Sequence, residues 1–393
     1  MNILYYIAII LLSGMIFAKI ATLIKLPHVT GYLVSGIFIG PYFLELIPGD
    51  LVPRLNIISE FALGFIAYNI GSALNIIKIK SIQSGIVKIA IFESFGAVTL
   101  VTLSMIFIFN LSFQFSIVLG AIAAATAPAA TIMVIRQYNA KGPLVDTLIP
   151  VVALDNAIGI ILFTIMVSIA KTFTPSGASL HLSLGQEITR SFLNIGMAIA
   201  IGCLVGCILT YVVDHIRSLD ELLCFIIAII SLSIGTAKTL DISSMLLCMV
   251  IGVTVSNLTV SSVKTLAVIE KFTPPVYVLF FVLASLKIDL HVFKQVGYIG
   301  IGYILCRIIG KIIGAKLGTK LVNASKEIQT YLGYTLIPQA GVALGLALLA
   351  EIKIPEFGGT IRTIIIGSTI VYELIGPVIT KIALMKANQI SSK

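Results

Sequence analysis

Stretches of about twenty apolar residues recur from one end of this 393-residue chain to the other, and they restrict its fold more than any motif does. Each is long enough to cross a hydrocarbon core of roughly 30 Å as a helix. Backbone inside a bilayer has no water to bond, so spanning segments are helices or members of a closed barrel. The stretches lack the period-two alternation of a barrel strand. Only 11% of residues are charged and mean hydropathy is +1.11, whereas soluble domains carry about 25% charge. An all-α polytopic membrane protein is predicted.

About thirteen transmembrane spans are expected, near 2–24, 28–44, 56–76, 84–109, 113–136, 144–170, 190–213, 221–237, 241–258, 272–287, 292–318, 327–350 and 361–384. The first lacks a basic n-region and a small-x-small cleavage site, so it reads as a span and not a signal peptide. Of the 26 lysines and arginines, alternate connections carry 14 and 8, with Lys19, Lys88, Arg307 and Lys311 inside spans. The positive-inside rule then places the C-terminus in the cytoplasm and the N-terminus outside. The net charge of +9 is thus topological and calls for no nucleic-acid partner. Five cysteines, all in apolar stretches and without metal-ligand spacing, read as packing residues.

Two halves are expected. Residues 1–171 form a first repeat of six spans, 172–220 a linker with the seventh, and 221–393 an inverted second repeat, with no soluble domain. "YLVSGIFIGP" resembles "MLLCMVIGVTV" with Gly40 on Gly252, and Pro128 in "AAATAPAATIM" lies 210 residues before Pro338 in "TLIPQAGVALGLA". Both prolines are placed mid-span, where the ring removes a helical hydrogen bond. Interrupted spans at matching positions of two halves point to a transporter's binding site.

The polar residues inside the spans narrow the chemistry. Glu60, Lys88, Glu93, Asp155, Arg307, Lys311 and Glu373 are candidates, because intramembrane ionisable groups are costly and usually functional. Glu60, Lys88 and Glu373 lie near span ends and read as structural or interfacial, while Glu93, in "IAIFESFGAV", reads either way. Asp155, in "PVVALDNAIGIILF", falls near the membrane midplane. Lys311 follows Arg307 by one helical turn in "CRIIGKIIGAKLG". A carboxylate and a lysine at similar depth neutralise one another when no cation is bound. Where "ATAPAAT" unwinds, backbone carbonyls and the hydroxyls of Thr126 and Thr131 become hard oxygen ligands, which suit a small monovalent cation. Sodium, lithium and potassium all fit that description.

In order along the chain, "LPHVTGYLVSGIFIGP", "ISEFALGFIAYNIGSAL", "ATAPAAT", "PVVALDNAIGIILF", "RIIGKIIGAKLG" and "LIPQAGVALGLA" resemble the membrane domain of the cation:proton antiporter-2 family. The resemblance implies a bacterial inner-membrane monovalent cation/proton antiporter. It also implies a homodimer of two inverted repeats with crossed broken helices, moving as an elevator and needing no cofactor. It makes Asp155 the proton and cation carboxylate, with Asn156 and Thr126 as further cation ligands and Lys311 as ionic partner. Thr126, Ala127, Pro128, Thr131, Pro338 and Gln339 become the crossover, with Arg307, Glu93 and Glu373 as secondary candidates. The family often reads Asp-Asp or Asn-Asp where this chain has Asp155-Asn156, so an amide occupies the position usually credited with direct ion binding. The nucleotide-binding domain of the Kef-type branch is not expected.

Three other classes compete with this reading. A sodium-coupled organic-solute symporter needs a larger polar cavity than the core spans offer. A transport-inactive sensor or scaffold is favoured by the amide at Asn156. An intramembrane aspartyl protease needs a second catalytic aspartate in a matching motif, and none is evident.

Overall fold

The computed structural model describes residues 3–24, 28–49, 51–72, 85–127, 131, 134–135, 138–173, 184–216, 218–259, 262–286 and 290–390. Among them are fourteen α-helices, one short 3-10 turn and no strand. The helices are α1 (Ile3–Leu23), α2 (His28–Ile39), α3 (Asn56–Ser72), α4 (Ile86–Phe107), α5 (Phe113–Ala123), α6 (Pro143–Thr172) and α7 (Leu184–His215). They continue as α8 (Leu219–Thr239), α9 (Ser244–Leu258), α10 (Ser262–Ser285), α11 (Leu290–Leu321), α12 (Lys326–Thr335), α13 (Gly341–Lys353) and α14 (Pro355–Lys386). Each of the thirteen predicted spans contains at least one. Seven are long and apolar enough to cross a membrane unaided, and four shorter apolar helices accompany them.

The chain forms two compact units, each drawing on both sequence halves. Unit 1 comprises Met1–Lys78 and Thr189–Ile288; unit 2 comprises Ile79–Ile188 and Asp289–Lys393. In unit 1, α2 and α3 pack on α10, and α9 on α3. Its core includes Tyr6, Ile10, Ile39, Val278 and Val282. Glu60 there is ion-paired with Lys238. The cysteines are all free. Cys248 is buried as a packing residue, but Cys203, Cys207 and Cys224 are exposed on their helices.

Unit 2 is built around α4 and α11, its most closely associated pair. Two similar connections set up its interrupted spans. After α4, Asn110 adopts φ 51° and Ser112 caps α5, its side chain accepting from the Phe115 N–H at 3.4 Å. After α11, Asn323 adopts φ 52° and Ser325 caps α12, accepting from Ile328 at 3.5 Å. Asparagine tolerates the left-handed turn, and serine satisfies an orphan N–H of the new helix. Both helices then stop short of a membrane's thickness. α5 gives way to an irregular stretch at 124–127, and α12 to one at 336–340 before α13 resumes the span. Proline explains the second break, since Pro338 has no N–H to offer the preceding turn. Pro128 lies outside the described residues.

Candidate functional site

The two breaks lie against each other in the interior of unit 2, and their carbonyls are satisfied across the gap. Ala127 N–H donates to the Pro338 carbonyl at 2.9 Å. Arg307 Nη1 donates to Ile337 at 2.7 Å, and the Thr126 hydroxyl to Leu336 at 3.4 Å. The Thr131 hydroxyl lies 3.5 Å from the Thr335 carbonyl and 3.4 Å from that of Ala127. In the other direction, Gln339 Nε2 donates to Ile122 at 3.0 Å. Arg307 donates through Nε to Ala123 at 2.9 Å and through Nη2 to Ala125 at 2.7 Å. Lys311 takes the Ala124 carbonyl at 2.5 Å. Eight successive carbonyls, 122–125 and 335–338, thus each have a donor. Leaving any one unpaired here would cost about 1–3 kcal/mol.

Tyr303, Arg307 and Lys311 recur every four residues on α11 and so form one stripe, all without solvent exposure. Tyr303 donates its hydroxyl to Gln339 Oε1 at 3.0 Å. The Arg307 guanidinium lies 4.7 Å from the centre of the Tyr372 ring. Sequence reasoning missed both tyrosines, although the spacing of Tyr303 from Arg307 was there to be read.

Lys311 is the centre of the site. Its ammonium donates to Asp155 Oδ2 at 3.0 Å and to Thr126 Oγ1 at 2.9 Å, besides the Ala124 carbonyl. Glu93 Oε2 lies 2.6 Å from the same nitrogen. Glu93, Asp155 and Lys311 are all 0% exposed. The expected Asp155–Lys311 pair therefore has a third member, and the two-sided reading of Glu93 resolves in favour of the site. Close helix packing brings it there. A Cβ on Gly314 would stand 2.7 Å from the Glu93 Cα, and one on Gly310 2.6 Å from the Gly96 carbonyl. Small residues at such contacts let membrane helices approach to backbone distance.

Asp155 Oδ1 and Asn156 Oδ1 have no hydrogen-bond partner. Asn156 is buried, and its Nδ2 donates to the Val152 carbonyl one turn back on α6 at 3.0 Å. That bond fixes which end of the amide is free, and the free end is an oxygen. Asp155, Glu93, Thr126 and the Ala124 carbonyl place oxygen donors around one point, of the hard kind that suits alkali cations.

One expectation needs correction. Glu373 is not interfacial: it is buried in α14, with neither carboxyl oxygen hydrogen-bonded. Among the described residues it forms no ion pair with Lys311 or Arg307, so the structure does not bring it into the ion-paired cluster. Lys88 is exposed and lines a cavity of about 640 Å³ with Gly85, Pro143, Thr147, Asn323 and Glu327. That cavity does not include Asp155.

Comparison with known proteins agrees with this architecture. Residues 7–386 match the sodium/hydrogen exchanger transmembrane family. The Na(+)/H(+) antiporter 1 of Methanocaldococcus jannaschii is 28% identical over 218 residues, covering 53% of this chain and 48% of that protein. The chain thus aligns with about half the length of that relative. A structure of the sodium proton antiporter MjNhaP1 from M. jannaschii at pH 8 superposes with a TM-score of 0.83 at 20% identity, over 98% of both chains. An electron-microscopy structure of MjNhaP1 gives a TM-score of 0.72 at 19% identity, over 98% of this chain and 95% of the other. These likenesses show the fold, a polytopic helical membrane protein. The family match runs over nearly the whole sequence, and the chain belongs to the sodium/hydrogen exchanger family.

Proposed function

We propose that the protein is a secondary active antiporter that exchanges a monovalent cation, sodium in the first instance, for protons at the Asp155 site. One observation carries the reading. A buried carboxylate is paired with a buried lysine at 3.0 Å beside two broken helices, and its second oxygen is unpartnered. In the cation-free state Lys311 is the counter-ion. An arriving cation joins it at Asp155, coordinating the free oxygens of Asp155 and Asn156 with Thr126. The antiporter relatives support sodium as the cation.

The ordered motifs favour the cation:proton antiporter-2 branch within the family. The inverted-repeat reading, 1–171 and 221–393 around a linker at 172–220, gains support from the matched pairs Asn110/Asn323 and Ser112/Ser325. Both are 213 residues apart, each at the entry to a broken span. We place the protein in a bacterial inner membrane as a homodimer, with the N-terminus outside and the C-terminus cytoplasmic. Exchange would proceed by elevator-type alternating access, with the bundle of broken helices as the moving body.

The test is sodium-driven proton movement in everted vesicles. Wild type should show it. Asp155→Asn should abolish it while leaving expression and elution in detergent unchanged. Substantial sodium-dependent flux in that variant would overturn the assignment of Asp155.

A further inference from the structure

We propose that Glu93 carries the proton that leaves the site when the cation enters, while Asp155 stays ionised against Lys311. This rests on the antiporter reading and assigns its exchanged proton to a residue on a different helix.

Hydrogen-bond capacity is the first ground. A lysine ammonium has three hydrogens. Here they serve the Ala124 carbonyl, the Thr126 hydroxyl and Asp155 Oδ2. Glu93 Oε2 is a fourth acceptor at 2.6 Å from the nitrogen, and it receives no hydrogen bond. Its other oxygen accepts only from the Ser94 hydroxyl, at 3.3 Å. Glu93 and Asp155 thus stand against the same ammonium, at 2.6 and 3.0 Å.

Charge is the second ground. The helices packed on α4 are α5, α6 and α11. α5 carries no ionisable side chain. In contact with the site, α6 offers Asp155 and α11 offers Lys311, with Arg307 one turn away. Arg307 has no carboxylate within ion-pair distance among the described residues. It is bonded to three carbonyls at the C-terminal ends of α5 and α12. Each such end carries about −0.5 charge, so the guanidinium is compensated there. With both carboxyls ionised, two negative charges would then face one ammonium in a site closed to solvent. One proton on Glu93 makes the site neutral.

The exchange step keeps that neutrality. A sodium ion enters, the Glu93 O–H bond breaks, and the proton leaves to the side on which the site is open. Glu93 becomes a carboxylate ligand, Asp155 and Lys311 keep their charges, and the net charge is zero before and after. Glu93 thereby supplies, from α4, the second carboxylate that Asn156 does not provide.

The test uses the full chain in proteoliposomes and sodium-induced infrared difference spectra of the same preparations. In wild type, sodium should abolish a protonated-carboxyl C=O band, and sodium-driven proton flux should not respond to an imposed membrane potential. Glu93→Asp should keep exchange and shift that band. Glu93→Gln should lack the band and fall to the flux of Asp155→Asn. Wild-type flux and pH profile in Glu93→Gln would overturn the proposal and leave the antiporter reading standing. A wild-type band that Glu93→Asp does not shift would do the same, and this holds even if Glu93→Gln fails to fold. Absence of sodium-driven flux in wild type would overturn the antiporter reading and this proposal with it.

Discussion

Removing the Lys311 ammonium is the sharpest perturbation of the site, because that one nitrogen faces two carboxyls and the first helix break. Deleting one partner of a buried pair typically costs about 3–5 kcal/mol, since the other charge is left uncompensated. Lys311→Ala also strips the donor from the Ala124 carbonyl, a further loss of about 1–3 kcal/mol. The two do not simply add, because they share one group. For a folding unit of 150–250 residues, each kcal/mol shifts Tm by about 2–4 °C. A loss of roughly 3–5 kcal/mol therefore lowers Tm by about 6–20 °C. The variant should also respond to sodium more strongly than wild type, since a cation becomes the only available counter-ion for the carboxyl pair. At a hundred times Kd, ligand binding contributes about 2.7 kcal/mol, enough to restore much of the loss. Thermal unfolding in detergent, with sodium exchanged for choline at constant ionic strength, reads both effects. A Lys311→Ala protein that melts with wild type and ignores sodium would show that the pairing is not what holds the site.

The remaining predictions address the surrounding frame. Arg307→Lys keeps the charge but cannot reach carbonyls of both helix ends, so it should lower stability by about 3 kcal/mol, at 1.5–3 kcal/mol per bond to a charged group; an unchanged Tm would refute the clamp. Gly314→Ala places a methyl 2.7 Å from the Glu93 Cα, and should reduce both exchange and Tm, whereas exchange at the wild-type rate would mean that close approach of α4 and α11 is dispensable. Asn156→Asp adds a carboxylate without a new cation, so exchange should become responsive to an imposed potential in liposomes. If it proceeds unaltered by the potential, residue 156 lies outside the exchanging charge.

The membrane class, the spans and the Asp155–Lys311 pair were legible because each depends on a local or periodic signal: length of apolar run, depth within it, spacing from a neighbour. Gln339 and Thr126 were legible as members of a broken helix. Less visible was what three-dimensional packing decides. Glu93 looked like any intramembrane acid until the glycine face of α11 set it beside Lys311. Glu373 was read as structural or interfacial, yet it falls midway along the predicted span 361–384, and α14 (Pro355–Lys386) buries it. The division into units was equally hidden, since unit 2 joins two sequence segments separated by a hundred residues of unit 1.

Arg307 and Lys311 are one turn apart on the same helix, yet they answer to different partners. Among the described residues Arg307 hydrogen-bonds backbone carbonyls and lies over the Tyr372 ring, with no carboxylate in ion-pair distance, and therefore has no direct link to the charge state of the carboxyls. Lys311 bonds both the carboxyl pair and the unwound backbone at Ala124 and Thr126. Any change in what Asp155 and Glu93 carry must alter how firmly Lys311 is held, and through it the first break. The second break is reached only through Thr126, whose hydroxyl accepts from Lys311 and donates to the Leu336 carbonyl; its other carbonyls at 335, 337 and 338 are held by Thr131, Arg307 and the Ala127 N–H, none of them titrating groups in the physiological range. On the antiporter reading proposed above, ion exchange at this site would be coupled to the geometry of the first broken span through one ammonium, against a frame that Arg307 holds.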